Sequence, residues 1–178
     1  MILFAAIPLP EEIKTQVMRL QKGVSGARWS DKEKLHITLG YFDHIEDDYA
    51  EVLDTELARH NFKGFELTLS GAGHFGVAEP RSLWLGVEPW ASLETLHQHC
   101  KSAARRSKVF MDSRNYHPHV TLAYMKPFSP VDRVVAFEKR LAHYRSDPFW
   151  VDCFYLYSSW RSPGKANTYR MEASYPLI

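Results

Sequence analysis

Two stretches of the chain repeat one pattern of residue types: histidine, a β-branched apolar residue, threonine, leucine, a small residue and tyrosine. Residues 35–42 read LHITLGYF, and residues 118–125 read PHVTLAYM. Histidine can take up or release a proton near neutral pH, and a threonine hydroxyl can donate a hydrogen bond. The repeat is therefore the first place in this sequence to look for chemistry.

Side chains two residues apart on a β-strand point to the same face of the sheet. His36 and Thr38 therefore share a face, and so do His119 and Thr121. The residues between and after them are apolar and can face the core. If the two halves are related by a pseudo-twofold axis, their faces meet across a cleft that holds two imidazoles and two hydroxyls.

This set of groups suits a cyclic phosphodiester. Because histidine titrates at about pH 6.5, a pair can hold one neutral base and one protonated acid. The base activates water, and the acid protonates the leaving alkoxide. The hydroxyls can donate to the non-bridging oxygens, where charge develops. No carboxylate is required, so neither a divalent metal nor another cofactor is expected.

The sequence allows two other interpretations of these histidines. A single His-x-Thr on a strand is more often a histidine hydrogen-bonded at a sheet surface, but two copies with matching flanks favour a functional site. His117 shares the face of His119, which raises the possibility of a metal site that also includes His36. No acid or cysteine with ligand spacing supports zinc there.

Composition limits the class of protein. Of the 178 residues, 45% are hydrophobic, which is enough for a packed core. The net charge of +1 argues against a strong overall attraction to nucleic acid or to an anionic membrane, but allows a local basic site. Cys100 and Cys153 lack CxxC spacing and are expected to be reduced thiols. No apolar run reaches the roughly 20 residues of a membrane span, so a soluble, cytoplasmic protein is expected. The protein is also expected to be a monomer.

Hydrophobic periodicity predicts the order β-α-β-α-β-β-α-β-α-β-β. Strands are expected at residues 2–7, 35–42, 65–75, 82–87, 119–125, 148–159 and 168–177, and helices at about 11–21, 47–60, 91–107 and 130–144. The strand–helix–strand pattern occurs twice, with one histidine–threonine strand in each half. The fold class is α+β and bilobal: two pseudo-symmetric lobes, each an antiparallel sheet backed by helices, with the active-site groove between them. Residues 1–178 are expected to form a single domain.

With their flanks, the two motifs resemble the 2H phosphoesterase superfamily, which is named for two HxTx motifs. The likeness is greatest to bacterial and archaeal RNA 2′,3′-cyclic phosphodiesterases, also called the 2′-5′ RNA ligase family. It covers nearly the whole chain. The segments that carry it are ILFAAIPLPEEI, RWSDKEKLHITLGYF, GAGHFGVAEPRSLWLGV, HPHVTL and the closing FYLYSSWRSPGKANTYRMEASYPL.

The resemblance implies metal-independent opening of RNA 2′,3′-cyclic phosphates to 2′-phosphates in a groove between two lobes. It gives His119 the role of base for water and His36 the role of acid for the 3′-oxygen, with Thr38 and Thr121 binding the phosphate. RNA ends or small cyclic nucleotides are the partners. Some members also join or cleave 2′-5′ linkages weakly and reversibly without ATP, which is plausible as the reverse of the same chemistry.

One position departs from the family pattern. The second motif usually continues as HxTLxR, and here Tyr124 stands in place of the arginine. A tyrosine can stack or donate one hydrogen bond but cannot hold a phosphate with two, so the departure bears on substrate preference. Tyr41 is the equivalent aromatic of the first motif. Strict alternation puts both tyrosines on the face opposite the histidines, so each needs a bulge or a strand end to reach the cleft. Phe42 is on the same face as the histidines by strict alternation and is a weaker candidate for contact with the substrate.

Alternatives remain open from the sequence alone. One is a superfamily relative that acts on 2′-5′ oligonucleotides or on an ADP-ribose cyclic phosphate. Another is a non-catalytic module that binds RNA ends, although two intact histidines and two intact threonines disfavour it. His97 and His99, two apart on a helix, are expected to face solvent, and Trp29 is a candidate for the groove wall. Basic residues that could touch RNA phosphates, with a solvated loop as the alternative, are Arg114, Arg161, Lys165 and Arg170.

Overall fold

The computed structural model describes residues 1–112, 115–161, 163–164 and 166–178; Arg114 and Lys165 lie outside the described residues. The described residues form ten strands: β1 (Ile2–Pro8), β2 (Ala27–Trp29), β3 (His36–Phe42), β4 (Phe65–Phe75), β5 (Ser82–Glu88), β6 (Met111–Asp112), β7 (His119–Met125), β8 (Phe149–Val151), β9 (Cys153–Trp160) and β10 (Thr168–Pro176). The four α-helices are α1 (Glu11–Met18), α2 (Asp47–Leu57), α3 (Ala91–Arg106) and α4 (Val131–Arg140), and a 3₁₀ turn, Lys32–Lys34, precedes β3.

The predicted elements are present, with differences at their edges. Helices α1, α2 and α4 end three or four residues earlier than the periodicity indicated, because the last turns are not helical. The strand predicted at 148–159 divides at Asp152 into β8 and β9, which pair with different neighbours. Strands β2 and β6 were not predicted, since two or three residues are too few to show a period of two.

One curled antiparallel sheet runs through the molecule in the order β10-β9-β1-β3-β7-β5-β4-β8, with β2 beside β7 and β6 beside β3. In the part of the chain that the structure describes, β3 and β7 meet through one residue pair, Ile37 and Val120. Beyond this junction the two strands separate, and their free edges pair with β6 and β2. The two predicted lobes are therefore the two halves of one sheet, joined at the motif strands.

Helices cover both halves on the side away from the motif histidines. On the β3 half, Tyr175 of β10 donates a hydrogen bond to Asp54 of α2 at 2.7 Å, and α3 packs against β3. On the β7 half, α4 packs against β4, and its Arg140 donates to the carbonyl oxygen of Leu20 beyond α1. The expected α+β architecture with helix-backed sheets is confirmed.

A continuous apolar core fills the space between sheet and helices. Its centre includes Ile37 and Leu39 of β3 and Val120 and Leu122 of β7, all fully buried. Burial of such side chains stabilises the fold by roughly 1.5–3 kcal/mol each. This burial fixes which face of each strand turns inward, and so leaves the histidines and threonines on the opposite face.

Two further expectations concern the cysteines and membrane spans. Cys100 is buried, Cys153 is half-buried, and both are free thiols, as predicted. Within the described ranges, no helix has the length and apolar character that crossing a membrane requires.

Candidate active site

The four side chains of the two motifs lie at the junction of β3 and β7. The antiparallel register through Ile37 and Val120, extended by one residue in each direction, puts His36 opposite Thr121 and Thr38 opposite His119. All four are half-buried, whereas the apolar residues between them are fully buried. The structure thus brings together the two histidines and two threonines that the sequence singled out.

The same backbone contact orients both imidazoles. Nδ1 of His36 lies 2.6 Å from the carbonyl oxygen of Lys34, and Nδ1 of His119 lies 2.6 Å from that of His117. Because a carbonyl oxygen can only accept, each Nδ1 carries the proton. Each Nε2 is then left to exchange a proton with a ligand.

Aromatic rings from neighbouring strands surround each imidazole. The ring of Phe4 lies 5.2 Å from that of His36, and Tyr169 of β10 lies 5.8 Å from it, edge-on. On the other half, Phe75 and Trp84 lie 4.9 Å and 6.2 Å from His119. These rings restrict both imidazoles and remove water from them.

This environment disfavours the charged form of both histidines. Burial lowers the pKa of His36 to about 4; the hydrogen bond to Lys34 opposes the shift, and the nearby His119 adds to it. Burial also lowers the pKa of His119, with its hydrogen bond to His117 opposing the shift. Both imidazoles are therefore neutral at pH 7 in the free protein, and a bound phosphate anion would favour protonation of either.

A β-bulge in each motif strand redirects the tyrosine that follows. The extra residue is Leu39 where β3 pairs with β1, and Leu122 where β7 pairs with β5. An extra residue reverses the alternation beyond it. Tyr41 and Tyr124 therefore lie on the histidine face, with 45% and 51% of their surfaces exposed. The bulge that these tyrosines needed is present in both strands.

Phe42, the weaker candidate, is fully buried in the core, and its assignment to the groove is wrong. The bulge explains the error, because parity counted from His36 no longer holds after Leu39. Tyr169 was not identified from the sequence. Burial raises the pKa of its phenol, and the nearby phenols of Tyr124 and Tyr41 act in the same direction.

Side-chain donors hold the bulge of β3. The hydroxyl of Tyr116 donates to the carbonyl oxygen of Thr38 at 3.1 Å, and Nδ1 of His97 donates to that of Leu39 at 2.7 Å. The rings of His97 and Tyr116 stack at 4.0 Å. The expectation of solvent-facing histidines is wrong: His97 is buried and His99 is half-buried, because α3 turns both toward neighbouring backbone carbonyls.

Different donors hold the bulge of β7. The Ser30 hydroxyl lies 3.3 Å from the carbonyl oxygen of Thr121. The carbonyl oxygen of Leu122 accepts from the Ser30 amide at 2.8 Å and from Nε2 of Gln21 at 3.3 Å. Nothing in the local sequence distinguished these residues from other polar loop residues.

Trp29 and His117, which the sequence suggested as a groove residue and a metal ligand, make other contacts. Trp29 packs against Phe137 of α4 with ring centroids 5.9 Å apart, so it belongs to the helix-backed side and does not wall the groove. His117 contacts Trp84 and Trp90 at 4.7 Å and 5.1 Å. Among the described residues, no three histidine, cysteine or acidic side chains are arranged to hold a metal ion.

Comparison with known proteins identifies relatives over most of the chain. A family model described as the 2′-5′ RNA ligase superfamily matches residues 9–159. An RNA 2′,3′-cyclic phosphodiesterase of Escherichia coli (strain K12) is 33% identical over 124 residues, which cover 67% of this chain and 69% of that protein. An RNA 2′,3′-cyclic phosphodiesterase of Thermotoga maritima is 28% identical over 169 residues, covering 90% and 87%.

Solved structures are similar over the whole fold. The crystal structure of E. coli LigT complexed with 3′-AMP superposes with a TM-score of 0.79 at 27% identity, covering 98% of this chain and 97% of that one. A protein of Thermus thermophilus, TT0787, superposes with a TM-score of 0.80 at 22% identity, covering 99% and 98%. The second likeness concerns the fold alone.

Proposed function

The chain belongs to the 2′-5′ RNA ligase superfamily, and we propose that it is a metal-independent RNA 2′,3′-cyclic phosphodiesterase that produces 2′-phosphates. One observation carries the proposal: two imidazoles with identical Nδ1 contacts flank the junction of β3 and β7, each with its Nε2 available for proton transfer. The relatives described above as RNA 2′,3′-cyclic phosphodiesterases support the same reaction.

In the proposed mechanism the two histidines act on opposite sides of the phosphorus. Nε2 of His119 accepts a proton from water as the water oxygen bonds to phosphorus. The bond between phosphorus and the 3′-oxygen breaks, and Nε2–H of His36 delivers a proton to that oxygen. The product is a 2′-phosphate with a free 3′-hydroxyl, and one further proton exchange restores both histidines.

The protonation of His36 depends on the substrate in this scheme. Burial keeps the pKa of His36 at about 4 in the free protein, so the acid form is scarce at neutral pH. The phosphodiester carries a negative charge, and an opposite charge within hydrogen-bond reach favours the imidazolium form. Binding of the substrate would therefore favour protonation of His36.

The remaining groups bind the substrate. Thr38 and Thr121 would donate to the non-bridging oxygens, which is supported by their half-buried positions opposite the two histidines. Tyr41 and Tyr124 would contact the terminal nucleoside, which is supported by their exposure on the same face. With a 5′-hydroxyl in place of water as the nucleophile, the same step would join that hydroxyl to the cyclic phosphate as a 2′-5′ linkage without ATP, and attack by the 3′-hydroxyl would cleave the linkage again.

We also propose that residues 1–178 act as a single bilobal domain and as a monomer in the cytoplasm. Both histidines come from one chain, and the β3 half combines β1 and β3 with β9 and β10 from the other end of the sequence. The free thiols Cys100 and Cys153 fit a reducing compartment. Size-exclusion chromatography with light scattering tests the monomer, and a dimer mass would contradict it.

The experiment that tests the function is turnover of cytidine 2′,3′-cyclic phosphate in EDTA, with the product isomer identified by phosphorus NMR. We expect cytidine 2′-phosphate. A 3′-phosphate product would reverse the assignment of the leaving oxygen, and activity that EDTA removes and a metal restores would contradict metal independence. Absence of turnover would contradict the function, and a panel of 2′-5′ oligonucleotides and ADP-ribose 1″,2″-cyclic phosphate would then identify the alternative.

A further inference from the structure

The two tyrosines at the mouth of the groove have neighbours of different charge. Tyr124 lies opposite Arg28 of β2, whose guanidinium carbon lies 5.8 Å from the centre of the Tyr124 ring. Tyr41 lies opposite Asp112 of β6, and the carboxylate of Asp43 is close enough to raise the pKa of its phenol together with burial. The Tyr124 side of the opening is therefore cationic.

Charges on the Tyr41 side are mixed. The Asp43 carboxylate raises the pKa of Tyr41, whereas the Arg161 guanidinium lowers it. A second negative group of a ligand would be repelled by Asp43 and attracted by Arg28. The difference in charge selects the Tyr124 side for an anion.

Arg28 is suited to bind such an anion. The residue is exposed, and in the described ranges its side chain forms no ion pair with a carboxylate. Contact with the Tyr124 face orients the guanidinium without using its N–H groups. A guanidinium fork with free N–H groups matches two oxygens of a phosphate.

The position of Arg28 separates it from the reacting phosphate. Tyr124 is three residues beyond Thr121, which is up to about 10 Å along the strand at 3.3 Å per residue. An RNA that ends in a 2′,3′-cyclic phosphate continues only through the 5′-oxygen of its terminal nucleoside. The next negative group of such a ligand is therefore the phosphate on that 5′-oxygen.

We propose that Arg28, held over Tyr124, forms a subsite for the phosphate on the 5′ side of the terminal nucleoside. The preferred substrate is then an RNA end, and a free cyclic mononucleotide lacks the group that Arg28 binds. This inference rests on the proposed function, because the position of the second phosphate follows from placing the cyclic phosphate between His36 and His119.

The test compares cytidine 2′,3′-cyclic phosphate with its 5′-phosphorylated form, which differs by the one group in question. We expect kcat/KM of the wild-type protein to be about tenfold higher for the 5′-phosphorylated substrate, the effect of one charged hydrogen-bonded contact. Arg28→Ala should remove this gain and leave kcat/KM for the other substrate unchanged. Arg28→Lys should restore only part of it, because lysine lacks the fork.

Arg105→Ala is the matched control, since it removes one exposed arginine on α3 and changes the net charge equally. It should leave the gain intact. Tyr124→Phe should keep the gain, because the ring face remains, and Tyr124→Ala should reduce it. A gain of the same size in Arg28→Ala, or no gain in the wild-type protein, would overturn the subsite while leaving the phosphodiesterase function standing.

Failure of the function has a different signature. If neither cyclic phosphate is opened, the proposed reaction is wrong, and calorimetry with cytidine 3′-phosphate and cytidine 3′,5′-bisphosphate then decides the subsite. Tighter binding of the bisphosphate to the wild-type protein but not to Arg28→Ala would support Arg28 as a phosphate ligand. Equal binding of both nucleotides to both proteins would overturn it.

Discussion

Strands β3 and β7 present a histidine and a threonine in the same way but are supported by different side chains. Both have a bulge after the threonine, and both histidines donate Nδ1–H to the carbonyl two residues earlier. The carbonyls at the β3 bulge accept from two stacked aromatic residues, His97 and Tyr116. Those at the β7 bulge accept from Ser30 and Gln21.

Backbone geometry therefore defines this site, and different side chains support it in the two halves. A bulge leaves carbonyl groups without ladder partners, and each must find a donor. Any nearby donor satisfies that requirement, whether an imidazole, a phenol, a hydroxyl or an amide. The two halves could therefore diverge in their supports while retaining the same motif.

Removal of either imidazole should have the largest effect on activity. We expect His36→Ala and His119→Ala each to lower kcat by about 10²–10⁴-fold, since each removes one partner in proton transfer. Far-ultraviolet circular dichroism should remain that of the wild-type protein. Near-native turnover in either variant would contradict paired catalysis, because one histidine would then suffice.

A substrate with sulfur in place of the 3′-oxygen distinguishes the acid from the base. A thiolate leaves without a proton, so loss of the acid matters less than loss of the base. If His36 is the acid, His36→Ala should regain most of its activity on this substrate, and His119→Ala should regain little. The opposite pattern would exchange the two roles.

The pH dependence of the reaction should reflect the burial of both histidines. The reaction needs one neutral and one protonated imidazole, and burial lowers the pKa of both histidines. The maximum of kcat/KM should therefore lie below about pH 6.5, and the rate should fall about tenfold per pH unit on the alkaline limb. The limbs belong to the pair, not to single residues. A maximum above about pH 7.5 would contradict the environment described for these rings.

Stability should also report the burial of His36. Because the pKa of His36 is lower in the folded protein, neutral His36 favours folding fully above pH 6.5, and this contribution is lost as the pH falls toward 4. Urea unfolding should show a shallower loss of stability over this range in His36→Gln than in the wild-type protein. His143→Gln, at an exposed position, is the control and should behave as wild type.

Gly40 and Ala123 follow the two bulge residues, and their surroundings differ. A methyl group on Gly40 would lie 2.9 Å from Cε of Met111 and 3.1 Å from Cβ of Cys100, whereas Ala123 is accommodated. Gly40→Ala should lower the free energy of unfolding by about 1–3 kcal/mol through overpacking. Ala123→Gly should cost about 0.5–1 kcal/mol. Equal and negligible costs would mean that the two bulges are equally spacious.

The smallest effect is expected for Tyr116→Phe, which removes one hydrogen bond and keeps the ring stack. We expect a loss of about 1 kcal/mol in stability and up to about fivefold in kcat, because Thr38 loses its backbone support. Tyr175→Phe removes a tyrosine hydroxyl that donates to Asp54, and it should lower stability without changing kcat. Unchanged kcat in Tyr116→Phe would show that the β3 bulge holds its geometry alone.

The sequence predicts the features of this site that depend on neighbouring residues, and it does not predict those that depend on contacts between distant segments. Alternation within each seven-residue motif was enough to place His36 on the same face as Thr38, and His119 on the same face as Thr121. The bulges that expose Tyr41 and Tyr124 depend on pairing with β1 and β5, and alternation alone put these tyrosines on the wrong face. A bulge is defined by how a strand pairs with its neighbour, so the alternation of residues within one strand does not reveal it.

Contacts between segments that are distant in sequence could not be predicted for the same reason. His97 looked like a solvent-facing helical residue, because its partners, Leu39 and Tyr116, lie elsewhere in the sequence. Arg28 is on a three-residue strand with no periodicity to detect, although the Arg-Trp before the first motif was visible as part of the family likeness. Long amphipathic elements were predicted well, and short pairing segments were not.

The position of β1 between β3 and β9 has a consequence for how the chain reaches its native state. One edge of β1 pairs with residues near position 40, but the other edge pairs with residues 155–159, which are synthesised much later. Such long sequence separations raise contact order and slow folding. During synthesis, the apolar ILFAAI segment therefore stays half-paired until β9 leaves the ribosome, and this is the interval in which a nascent chain is open to chaperones and to aggregation.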